Sequence, residues 1–109
     1  MELMTAEIAK ALPKLNEAAN NKPDNIKVPL KLFDPSGRGT WFIFEYDGED
    51  TAFCYCISPL GPDCDELGYV SLTELRGVRN RLGLGIERDL HWNPETTLSA
   101  VMGLSKERR

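Results

Sequence analysis

Glu66–Trp92 reads ELGYVSLTELRGVRNRLGLGIERDLHW, and the punctuation of this stretch decides the fold class. Ser71 followed three residues later by Glu74 is a capping-box pattern, in which each side chain satisfies an otherwise unpaired backbone N–H at a helix start. A helix is therefore predicted from Leu72. Leu72, Leu75 and Val78 recur at threes on one face, Glu74, Arg76 and Arg79 fall on the others, and Gly83 and Gly85 end it. Ile86, Arg88, Leu90 and Trp92 then alternate with Glu87, Asp89 and His91, the period of a strand with one face turned inward. With a short strand at Gly68-Tyr69-Val70 ahead of the helix, the stretch reads strand, capped helix, glycine turn, strand.

The rest of the chain supplies strands for these to join. Thr40–Tyr46, TWFIFEY, is apolar on both faces, and Asp47-Gly48, the strongest short hairpin signal, leads into Thr51–Ser58, which is apolar on both faces too. Strands dry on two sides are central ones. Ile26, Val28, Leu30 and Leu32 alternate with Lys27, Pro29 and Lys31, and Pro29, unable to donate to a ladder, assigns that strand to an edge or a bulge. Thr5 is a helix N-cap ahead of the stripe Ile8, Ala11, Leu12, Leu15 and Ala19, so a helix is expected over residues 6–19, kinked or split at Pro13. Thr96 or Thr97 caps a last helix carrying Leu98, Val101 and Met102. The expected architecture is α+β: an antiparallel sheet of four to five strands with three helices packed on it, one domain over residues 1–109, with 105–109 a frayed tail. Because the central strands are apolar on both sides, either the helices divide between the faces or one face forms a homodimer contact.

A net charge of −4 conceals a segregation of charge: Gly39–Glu74 holds eight acidic residues and no lysine or arginine. That distribution argues against nucleic acid as the partner and leaves only a local basic patch, Arg76, Arg79 and Arg81 with Lys106, Arg108 and Arg109. The longest uncharged run, Thr51–Pro62, has twelve residues, short of the ~20 that a membrane helix needs. Glu2 stands where a secretory signal wants positive charge, and three cysteines without an export signal suit a reducing cytoplasm.

Three constellations carry chemical interest. Cys54 and Cys56 share a strand face and Cys64 follows, but with His91 the sole histidine the set lacks the paired spacing of a zinc site; no metal or cofactor is indicated. Glu87, Asp89 and His91 would project together from one strand face, an arrangement able to hold a divalent cation or supply an acid and a base for a small metal-dependent nuclease or hydrolase. Their alternative role is the solvated face of an amphipathic strand. The acidic residues Asp47, Glu49, Asp50, Asp63, Asp65 and Glu66 lie on two loops and, with Tyr69, are candidates for meeting a partner, such as a basic host nucleic-acid-binding or defence protein. Gly83-Leu84-Gly85 has no strand before it, so it is not a phosphate cradle.

The pieces LPKL (Leu12–Leu15), TWFIFEYDGED, ELGYVSLTEL and LGLGIERDLHW together resemble a family of small proteins, domain of unknown function 2958, over nearly the whole chain. The resemblance implies a bacterial protein carried on plasmids, phages or other mobile elements and supplies no activity. Tyr69, Glu87, Arg88 and Asp89 fall in its distinctive pieces. Arg88, on the inward set, is expected to pair with a carboxylate and hold those two pieces together, a structural role like that of Ser71 and Glu74. With no nucleophile–base–orienter set, the sequence favours a non-enzymatic accessory protein acting through contacts with another protein.

Overall fold

The computed structural model describes residues 2–107, and the side chains of all of these but 62 and 104–107. Five strands form one antiparallel sheet in the order β4-β3-β2-β1-β5: β1 Leu30–Phe33, β2 Thr40–Tyr46, β3 Thr51–Ile57, β4 Glu66–Ser71 and β5 Glu87–Arg88. Three helices accompany it: α1 Ala6–Ala11, α2 Leu72–Gly77 and α3 Leu98–Glu107. The expected α+β architecture is the one observed.

The hairpin β2–β3 is the centre. Asp47 Oδ1 accepts the backbone N–H groups of Glu49, Asp50 and Thr51 at 2.8–3.1 Å, and Gly48 takes a φ of 88° that a side chain would oppose. Alternation then sends Ile43, Tyr46, Ala52 and Cys54 to one face and Phe42, Phe44, Tyr55 and Ile57 to the other. The helices divide between them. Leu3, Met4, Leu12 and the α2 residues Leu72 and Leu75 cover the first face, while Ala18, Ile26, Val28 and the α3 residues Leu98 and Val101 cover the second. Each fully enclosed aliphatic side chain contributes ~2 kcal/mol, so a sheet this small needs both covers.

Several boundaries differ from the sequence expectation, each for a local reason. The first helix stops at Ala11, ahead of Pro13, and does not resume. Glu45, 3% exposed, draws the following segment into turns by accepting the N–H groups of Asn16 and Ala18, both at 2.9 Å. Helix α2 ends at Gly77 rather than near Gly83. Asn80 organises the loop that replaces its second half: its Oδ1 accepts from Leu82 and Leu84, and its Nδ2 donates to Asp34. Strand β1 begins after Pro29 and is an interior strand, not an edge, because β5 pairs with its far side. Residues 105–107, expected in a tail, continue α3; 108 and 109 lie outside the described residues.

Candidate functional site

The run Glu87–Trp92 leaves strand geometry after two residues. Asp89 N–H donates to the Lys31 carbonyl at 3.0 Å, but Asp89 Oδ1 then accepts the N–H of His91 at 2.9 Å, and this Asx turn rotates the chain out of the ladder. The alternation is broken: Ile86 packs in the first core, Trp92 against the second, and Leu90 between them is 63% exposed. The turn therefore takes His91 out of register with Glu87 and Asp89, which stay on the Phe33–Lys31 side. Glu87 stands beside Phe33 on β5, Asp89 pairs with Lys31 Nζ at 3.4 Å, and His91 is exposed on the turn. Among the described residues no three His, Cys, Asp or Glu side chains converge as a metal ion requires.

The surrounding corner is wired rather than open. Trp92 Nε1 donates to the Val28 carbonyl at 2.7 Å, and its ring packs on Phe42 at 5.5 Å. Lys31 Nζ lies 5.5 Å from the Trp92 ring centroid, a cation–π contact that reinforces the pairing with Asp89. Arg88 Nη1 donates to the Glu2 carbonyl at 2.6 Å, fastening β5 to the N-terminal segment. That is a structural role, but it cannot join ELGY to ERDL: the first forms β4 and the second begins in β5, at opposite ends of the sheet. At ~4.8 Å per strand the two lie roughly 19 Å apart.

The acidic loops divide into fasteners and free groups. The Asp65 side chain has no solvent exposure: its carboxylate receives Arg38 through two bonds of 2.7 Å and the Ser58 N–H at 2.8 Å, so it is engaged within the fold. Asp50 accepts the Ser71 hydroxyl at 2.5 Å and both the N–H and hydroxyl of Thr73, at 2.8 and 2.7 Å. Ser71 Oγ accepts from the Glu74 N–H at 3.2 Å as the capping pattern predicts, and Asp50 is the carboxylate at that helix start which sequence spacing alone could not reveal. These bonds hold the Asp50 carboxyl below its ordinary pKa, the Ser71 hydroxyl most of all, followed by Thr73. Asp47 is lowered in the same way by the N–H groups of Glu49 and Asp50. Glu49, Asp63 and Glu66 remain exposed.

Between the two fasteners lies β4, the terminal strand, none of whose residues is buried. Tyr69 is 61% exposed and Leu67 43%, on the face where Phe44, Phe53 and Tyr69 form a ladder with ring centroids 5.2 and 4.8 Å apart. The backbone is oriented outward there as well. Leu72 N–H donates to the Asp50 carbonyl, and with Ala52 opposite Val70 and Cys54 opposite Gly68 the antiparallel alternation directs Val70, Gly68 and Glu66 toward β3. The N–H and C=O groups of Leu67 and Tyr69 point to the free edge. On the other face, a groove of about 390 Å³ runs over Gly68 between Trp41, Cys54, Cys56 and Cys64. Burial pushes the Cys54 thiol up to about 12 and that of Cys56 up to about 11, so both are neutral hydrophobes at physiological pH.

A family model described as a protein of unknown function, DUF2958, matches residues 3–108. The chain belongs to the DUF2958 family. No curated protein and no solved structure matches it. Within this DUF2958 chain the ELGY piece supplies the open edge and the ERDL piece the wired one. Tyr69 was legible as a candidate because it belonged to the first; the aromatic ladder beneath it was not, since it depends on the register that sets Phe53 opposite Tyr69 across β3 and β4.

Proposed function

We propose that this DUF2958 protein is a non-enzymatic accessory protein of a bacterial mobile element, working in the cytoplasm through contacts with another protein, and that the β4 edge is its contact surface. The observation that carries this reading is the exposed Tyr69–Leu67 patch on a strand whose outer backbone groups are unmatched by any other described strand. Aromatic side chains with apolar bodies and polar tips are enriched at protein interfaces. No helix of the described residues is long and apolar enough to cross a membrane.

Photo-crosslinking in the bacterium that carries the gene tests the reading. A photoreactive residue replacing Leu67 is expected to give discrete protein adducts that excess wild-type protein suppresses. The same residue at Asn93, exposed on the opposite edge, is expected to give none. Equal labelling from both positions, or none from Leu67, would remove the β4 edge as the contact surface.

A further inference from the structure

Gly68 sits in the middle of β4, where a glycine weakens the strand through backbone entropy and offers nothing to pack. The fold does not require it. Its φ is not in the left-handed range, and a Cβ built there meets no atom within 4 Å. Glycine inside a strand that is neither bulged nor crowded marks a place where another chain approaches closely. The groove beside it accords with this: Trp41, Cys54, Cys56 and Val70 give it an apolar lining, and the missing side chain leaves it open to the edge.

Resting on the protein-contact reading, we infer that an extended segment of a partner protein adds to β4 as a sixth strand, its main chain bonding Leu67 and Tyr69 and one apolar side chain entering the groove over Gly68. In strand addition the main-chain bonds supply affinity and the pockets for alternate side chains supply selectivity. Side chains of the added strand that point the other way fall on the Tyr69–Leu67 face. The charge around the strand specifies the segment. Asp63 and Glu66 at its start and Glu49 and Glu74 near its end are exposed, while Arg38 beside them is engaged by Asp65, so lysine or arginine flanking the apolar residue is favoured. A second copy of this chain does not fit: antiparallel pairing would set Glu66 toward Glu49 and Glu74, and parallel pairing would set Glu66 on Glu66.

The test is a backbone-amide titration of the intact protein with three peptides of about ten residues, long enough to span the strand. One alternates valine with lysine, one alternates valine with glutamate, and one is the lysine peptide broken by a central proline. The lysine peptide is expected to shift the Leu67 and Tyr69 amides and to weaken as salt rises, while the other two do neither. Gly68→Ile, whose Cβ would meet no atom within 4 Å and whose longer branch would occupy the groove, is expected to lower affinity at least about tenfold while its Tm stays within about 4 °C of wild type. Equal binding of the glutamate peptide, undiminished binding to Gly68→Ile, or no shift at Leu67 and Tyr69 with millimolar peptide overturns the inference. Should Leu67 crosslink a partner whose binding Gly68→Ile leaves intact, strand addition fails while the protein-contact reading stands.

Discussion

The two ends of the sheet invert what their sequences suggest. The β5 end is built from ERDLHW, with three charged residues in a row, and three of its groups are tied down: Asp89 to Lys31, Arg88 to Glu2, Trp92 to Val28. The β4 end is built from ELGYVS, unremarkable in composition, and leaves its central side chains and outward backbone groups exposed. Charged residues near a chain reversal find partners because an unpaired polar group in a half-buried position is costly. Apolar residues on a terminal strand have no such local remedy. On a monomeric surface the second kind of exposure is the more informative sign of a binding site.

The largest effect expected from disturbing this contrast is at Asp65, which anchors the start of the open strand. Asp65→Ala leaves Arg38 without its bidentate partner and the buried Ser58 N–H without an acceptor, and a loss of about 2 kcal/mol, chiefly from the unsatisfied N–H, is expected in urea unfolding. Amide exchange is expected to accelerate through Ser58–Gly68 and to remain unchanged at Asp89 and the rest of the β5 corner. A loss under ~1 kcal/mol, or acceleration spread evenly over both ends, would mean that Asp65 is not the fastener of the open edge.

How far these roles could be read from the sequence follows from what each depends on. The hairpin at Asp47-Gly48, the dry central strands, the Ser71 cap and the last helix depend on residues within a few positions of one another, and all four are present. Asp65 meeting Arg38 and Asp50 meeting Thr73 depend on pairings 27 and 23 residues apart, which no local period encodes. Glu45 is a similar case: inside TWFIFEY it reads as a polar interruption, yet its carboxylate shapes a segment 27 and 29 residues upstream. The strand expected over Ile86–Trp92 failed for the opposite reason. Its alternation was real in the sequence, but the Asp89 side chain bonds the backbone two residues on and ends the strand locally.

A smaller effect separates the two ends by pH. The Asp50 carboxyl has its folded pKa held below the ordinary 3.8, so the stability it contributes is present above that value and is lost as pH falls through 3.8 toward the depressed one. Asp47 and Asp34 act with the same sign, Asp34 chiefly through the Asn80 amide and the Ser36 N–H. Wild-type protein is expected to lose stability between about pH 5 and pH 2, and Asp50→Asn to show a shallower acid limb from a lower starting stability. Loss is expected first where β4 meets α2, read as early exchange at Leu72 and Thr73. An acid limb identical in Asp50→Asn would show that this carboxylate contributes nothing to the pH dependence.

The smallest effect expected is at His91. As the sole histidine, it is the residue through which any Ser-His-Asp, Cys-His or histidine-metal chemistry must pass. Its described contact is the backbone N–H bonded to Asp89, which any residue but proline supplies, and its side chain is exposed. His91→Ala is therefore expected to change stability by less than ~0.5 kcal/mol and to leave crosslinking from Leu67 at the wild-type level. An abolished cellular effect of the protein with both of those readouts intact would place chemistry at the β5 end and reverse the assignment of the two edges. An unchanged effect would remove every histidine-dependent mechanism at once and leave the open strand as the surface to pursue.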